Sequence, residues 1–201
     1  MKPALVALCL LVACGDDDSG VDAGTDSGAG IDAATDAGVD VVEPSGPECN
    51  GDDLFIVEID PGESITLLNP TSEPIDVAAS TYQFCQAPQY AALREEIVIA
   101  PGARQVFAWP EAFRDGDERG EVALYVRPGF ETPDNMLDIV CWGLPKSFNR
   151  LTEAGIAGLW EGDCADPVTG EVLKRVPAST GTSGASYDPT GVVDDIVCPA
   201  E

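Results

Sequence analysis

Beyond residue 53 the chain alternates apolar and polar positions with a period of two, the pattern of half-buried strands. Residues 54–59, Leu-Phe-Ile-Val-Glu-Ile, are β-rich, and Asp60-Pro61-Gly62-Glu63 supplies a turn with Pro and Gly in usable places. Residues 64–69 alternate as a second strand, and the following Asn69-Pro70-Thr71-Ser72-Glu73-Pro74 reads as a loop. Ile75-Asp76-Val77 and Tyr82-Gln83-Phe84-Cys85 give a third, interrupted strand. A short strand at 96–99 is ended by Ala100-Pro101-Gly102, and strands follow at 104–109, 121–126 and 136–142. Seven or so short strands with turn signals between them predict an antiparallel β-sandwich. No amphipathic helix of twelve residues is present; residues 148–159 predict a short helical turn, broken by Gly155 and Gly158. From 163 to 201 the chain is rich in Gly, Ser, Thr, Pro and Asp, which predicts one strand near 171–176 and then a tail packed on the domain.

The first 48 residues follow a different pattern. One positive charge, Lys2, precedes an apolar run from Ala4 that closes on Leu11-Val12-Ala13-Cys14. The run is well short of the roughly 20 residues that span a bilayer. Leu, Val, Ala and Cys in that order form a lipobox: the expectation is cleavage before Cys14 and a diacylglycerol on its thiol, making residues 1–13 a lipoprotein signal peptide. Residues 14–48 reduce largely to Asp, Gly, Ala, Ser, Thr and Val, without an aromatic residue or a hydrophobic period. Such a stretch buries too little to offset its ordering entropy, so a disordered acidic linker is expected. A calcium-binding Asp repeat is disfavoured because fixed Gly-Asp spacing is absent. The expected plan is signal, linker, a sandwich at 49–180 and a packed tail at 181–201, with the chain held at the cell envelope through the lipid on Cys14.

The formal net charge of −26 repels nucleic acid, and no basic stripe is present to release counterions, so no nucleic-acid partner is expected. Residues 15–93 carry no Lys or Arg. The absence of histidine removes Ser-His-Asp and Cys-His nucleophile systems and His-ligated zinc. Of seven cysteines, Cys9 leaves with the signal and Cys14 takes the lipid. Cys49, Cys85, Cys141, Cys164 and Cys198 remain, none in a C-x-x-C spacing, which favours disulfides over metal or redox motifs.

Several segments resemble the lamin-tail domain. Ser64-Ile65-Thr66-Leu67-Leu68-Asn69-Pro70-Thr71-Ser72-Glu73-Pro74-Ile75-Asp76-Val77 is similar to that family's opening: an acidic-apolar strand, Asn-Pro or Asn-Ser, a polar turn, then Val/Ile-Asp-Leu. Ile99-Ala100-Pro101-Gly102 resembles its Pro-Gly turn. Leu137-Asp138-Ile139-Val140-Cys141-Trp142-Gly143 resembles the Asp-x-Val-x-Trp-Gly strand of bacterial members. Ala154-Gly155-Ile156-Ala157-Gly158-Leu159-Trp160 and Leu173-Lys174-Arg175-Val176-Pro177 resemble the segments after that strand in the same members. The likeness covers about residues 53–180. The chain departs from it at Ser80-Thr81-Tyr82, where Gly-Trp is common, and at Cys141, where Gln is common. The resemblance implies an immunoglobulin-like antiparallel β-sandwich and no particular function.

It also places Trp142 in the core, so alternation turns Cys141 to the opposite face. The same alternation turns Tyr82 and Phe84 inward and Cys85 outward. A Cys85–Cys141 disulfide is therefore expected if their strands are neighbours, with Cys164–Cys198 as companion and Cys49 unpaired. Cys141–Cys164 is the rival.

Candidate chemistry is sparse. Glu95-Glu96 and Asp194-Asp195 are adjacent pairs whose side chains point to opposite faces, so they read as solvated charge. Asp115-Gly116-Asp117-Glu118 lacks the ligand pattern of a calcium loop. Residues 179–186 carry hydroxyls without a base or a Gly-x-Ser-x-Gly elbow. Trp142 reads as core, while Trp109 and Trp160 are candidates for stacking on sugars. No catalytic residue, cofactor or metal site is expected. The expectation is a membrane-anchored, non-enzymatic binding or structural module with an unidentified protein or glycan ligand. The alternatives are a carbohydrate-binding module and a calcium-dependent adhesion module.

Overall fold

The computed structural model describes residues 49, 51–114, 116, 118–126, 132–143 and 150–198. The lipobox at Cys14, the signal and the linker lie outside the described residues, as do Asp115 and Asp117 of the acidic loop.

Two antiparallel sheets pack face to face. The strands are β1 (Phe55–Asp60), β2 (Ser64–Leu68), β3 (Ile75–Asp76), β4 (Tyr82–Gln86), β5 (Gln89–Ala92), β6 (Val98–Ile99), β7 (Arg104–Ala108), β8 (Gly120–Val126), β9 (Met136–Trp142), β10 (Leu173–Arg175) and β11 (Tyr187–Asp188). One sheet runs β11-β10-β1-β2-β7 and the other β5-β4-β8-β9, with β3-β6 as a small separate ladder. The neighbours β1-β2-β7 and β5-β4-β8-β9 reproduce the A-B-E and C′-C-F-G order of an immunoglobulin-like sandwich.

The core lies between the sheets. Ile56, Ile59, Ile65, Leu67 and Phe107 from one sheet meet Phe84, Val122, Leu124, Val140 and Trp142 from the other, all buried. Phe84 and Phe107 cross the interface edge to face at 5.9 Å between ring centroids. Such a pair contributes about 0.5–1.5 kcal/mol beyond the burial of its area. A bulge in β1 between Ile56 and Glu58 shifts the alternation by one residue, which lets Ile56 and Ile59 both face the core.

The third strand expected from the sequence is two strands in different sheets. Between β3 and β4 lies one helical turn, α1 (Val77–Ser80), capped where Asp76 Oδ1 accepts the Ala79 N–H at 3.1 Å. Thr81 then turns through a left-handed conformation, φ 57°. The motif loop after β2 is organised by the fully buried Asn69: its amide donates to the Glu73 and Ile99 carbonyls, each at 2.9 Å, and its oxygen accepts from Thr71.

A short helix, α2 (Leu151–Ala157), follows β9 and brings the buried Ala154. The outward face of β4, β8 and β9 is also buried, including Cys85, Ala123, Tyr125 and Cys141. On the other sheet a second apolar cluster forms where Ile196 and Cys198 of the tail cover Phe55, Val57 and Leu68. Asp195 fixes the tail further through Lys174 at 2.9 Å and Arg104 at 2.6 Å.

Both expected disulfides are corrected. Cys141 bonds Cys164, with Cα atoms 5.0 Å apart, and Cys49 bonds Cys198 at 5.3 Å. Cys85 is buried with a free thiol. The face assignment holds, for Cys85 and Cys141 do leave the core side; the strand order defeats the pairing. β8 runs between β4 and β9, with Cys85 opposite Ala123 and Cys141 opposite Glu121. Two strand spacings are about 10 Å, beyond the roughly 7 Å a disulfide spans. Cys164 instead arrives beside the free edge of β9, where the Ala165 N–H donates to the Cys141 carbonyl at 3.0 Å and the Gly143 N–H to the Ala165 carbonyl at 2.8 Å.

Candidate functional site

The polar residues that converge inside the sandwich are Asp138 and Arg175. Asp138 shares the inward parity of Val140 and Trp142 on β9, so alternation carries a carboxylate into the interior. Its Oδ2 accepts the Ile56 N–H at 2.7 Å and its Oδ1 the Ile139 N–H at 2.8 Å. Burial pushes its pKa up to about 6, opposed by Arg175 and the two backbone N–H groups.

Arg175 shares the buried face of Leu173 on β10. Its Nη1 lies 3.9 Å from Asp138 Oδ2 and its Nη2 donates to the Thr180 carbonyl at 2.9 Å. The guanidinium lies over the Phe55 ring, 4.4 Å from its centroid. Gly181 closes over the guanidinium; its φ of 73° suits glycine, and a Cβ there would collide with the guanidinium. Opposite Arg175 on β11 stands Tyr187, whose ring stacks on Trp160 at 6.0 Å. Burial, then the Asp138 charge, hold the Tyr187 hydroxyl well above its usual range.

Next to this pair opens a cavity of about 320 Å³. Leu54, Met136 and Leu159 form apolar walls, and Asp53, Thr180 and Thr182 stand among its polar groups. Asp53 Oδ1 accepts the Leu54 N–H at 2.8 Å and a short hydrogen bond from the Tyr82 hydroxyl. Burial and then that bond push the Tyr82 pKa up. The Thr180 and Thr182 hydroxyls pair at 2.8 Å.

A second polar group surrounds Cys85. Burial raises its pKa, opposed mainly by Arg150. Arg150 lies over the Tyr90 ring at 5.7 Å, hydrogen-bonds its hydroxyl and meets Glu153 at 3.6 Å.

The remaining sequence candidates are dispersed. Glu95 and Glu96 are exposed. Asp194 and Asp195 are both exposed, in line with the solvated-charge reading, and Asp195 also pairs with Arg104 and Lys174 beside Glu58. The Ser179 hydroxyl donates to the Ser186 carbonyl at 3.3 Å. Trp142 is wholly buried, and Trp160, a candidate sugar platform, is 4% exposed against Tyr187. Trp109 is half-buried, edge-on to Phe113. Among the described residues no group of three or more Cys, Asp or Glu side chains could hold a metal ion, and no helix is long and apolar enough to cross a membrane. The sequence reading missed Asp138 and Arg175 as a pair, although their parity with Trp142 and Leu173 was the available signal.

Comparison with protein-family models, curated proteins and solved structures gave no match.

Proposed function

We propose that the chain is an exported lipoprotein, fixed to the membrane through a diacylglycerol on Cys14, that holds a lamin-tail-like sandwich at the cell envelope as a non-enzymatic binding or structural module. The observation that carries this reading is the disulfide set. Four of the five cysteines beyond Cys14 are paired, as Cys49–Cys198 and Cys141–Cys164. Such bonds persist in oxidising compartments outside the cytosol, in agreement with a secretory signal ending in a lipobox. The A-B-E and C′-C-F-G strand order supports the lamin-tail resemblance at the level of fold. The non-enzymatic reading is supported by how Asp138 is used: both oxygens accept backbone N–H bonds. Export of a Cys14→Ser variant tests the anchor. The native chain should enter the detergent phase on phase partition and the variant should remain aqueous with its signal uncleaved. Equal partition of both into the aqueous phase would overturn the anchor.

A further inference from the structure

The cavity beside Asp138 and Arg175, at about 320 Å³, falls within the range of small-molecule sites. Groups of opposite charge in its lining keep hydrogen-bonding capacity. Arg175 is buried with Nη2 held by Thr180, and its Nη1, 3.9 Å from Asp138 Oδ2, makes no hydrogen bond among the described residues. Asp53 engages Tyr82 and Leu54 through Oδ1, and its Oδ2 makes no hydrogen bond among the described residues. The same lining has apolar walls, from Leu54, Met136 and Leu159.

We propose that this cavity binds a free α-amino acid with an apolar side chain, its carboxylate on Arg175 and its ammonium on Asp53. A simple anion would meet the acids Asp52, Asp53 and Asp138 in the same lining, and a simple cation would meet Arg175. An uncharged ligand would cover both charges without replacing their water, at a cost for each. A zwitterion satisfies the two together, and its aliphatic side chain gains from the three apolar walls. The inference rests on the binding-module reading of the head and is independent of the lipid anchor.

The test is an amide NMR titration of the full exported chain with L-leucine, L-leucine methyl ester and N-acetyl-L-leucine. L-Leucine should give saturable shifts confined to residues 51–55, 136–138 and 180–182, the segments that line the cavity. A ligand of this size supports a Kd on the order of 0.1–1 mM. The ester and the acetyl derivative each lose one charge-assisted contact and should bind at least about tenfold more weakly. Asp53→Asn should weaken L-leucine about tenfold with the rest of the spectrum unchanged. Arg175→Lys keeps the charge but loses the planar guanidinium and should also weaken L-leucine about tenfold. Ester binding equal to leucine would make this a cation site and overturn the proposal. Equal binding of the acetyl derivative would make it an anion site, with the same consequence. Absence of saturable shifts up to the solubility of leucine would also overturn it. Detergent partition reads the anchor separately, so either reading can fail without the other.

Discussion

Asp138 of β9 accepts the backbone N–H of Ile56 of β1 at 2.7 Å, so a carboxylate from one sheet closes a hydrogen bond of the other. The bond falls at the β1 bulge, between the register positions of Ile56 and Glu58. A buried N–H left unpaired there would cost about 1–3 kcal/mol. Asp138 therefore pairs that N–H, and Arg175 keeps its charge company at 3.9 Å.

This arrangement makes stability depend on pH in an uncommon direction. The folded pKa of Asp138, about 6, lies above its ordinary value of 3.8. The folded state then binds the proton more tightly than the unfolded state, so the Asp138 contribution is fully present below about pH 4 and is lost as pH rises through 6. Arg175 from β10 and Tyr187 from β11 are the ionisable groups that face it. Between pH 7 and pH 5 this one group should add on the order of 1 kcal/mol to unfolding free energy. Urea titrations of the parent chain and of Asp138→Asn should show that gain in the parent alone; parallel pH slopes would contradict it.

The disulfides should differ in weight. Cys49–Cys198 closes a loop of sequence separation 149 and Cys141–Cys164 one of 23. Constraint of the unfolded chain corresponds to about 5 and about 3 kcal/mol respectively. Paired Cys→Ser replacements, measured by denaturant unfolding without reductant, should lower stability more at Cys49 and Cys198 than at Cys141 and Cys164. The reverse order would show that native-state strain or residual unfolded structure dominates.

Cys85 should be chemically silent in the folded protein. The thiol is fully buried and burial raises its pKa, so both access and thiolate fraction are low. An alkylating reagent should leave it unmodified in native buffer and modify it after denaturation. Rapid native labelling at Cys85 would contradict the buried position.

Gly120 should resist enlargement. It faces Trp142 across the β8–β9 ladder, and a Cβ at residue 120 would overlap the indole ring. Trp142 is fully buried and hydrogen-bonds the Gly116 carbonyl, so it has little room to yield. Gly120→Ala should cost about 1–3 kcal/mol, the range for overpacking, read as a lower denaturation midpoint. An unchanged midpoint would show that the loop before β8 relaxes freely.

The legible and illegible parts of this fold divide along a physical line. Alternation is local, so the faces of Phe84, Cys85, Cys141 and Trp142 could be read directly from residue parity. Disulfide partners depend on which strands are neighbours, and no local pattern told that β8 runs between Cys85 and Cys141. β5 was missed because Gln89-Tyr90-Ala91-Ala92 has no apolar alternation; it forms as the hairpin partner of β4. β11 is two residues long and owes its place to pairing with β10, where Arg175 stands opposite Tyr187. The Asp138–Arg175 pair was half legible. Each residue has the parity of a core position, but their meeting required β9, β1 and β10 to be adjacent in space.

The anchor is the claim on which the reading of this chain turns, and mass spectrometry of the N-terminal peptide of the exported protein tests it most directly. The mature chain should begin at Cys14 and carry the mass of a thioether-linked diacylglycerol. An exported chain beginning elsewhere, or a Cys14 with an unmodified thiol, would contradict it.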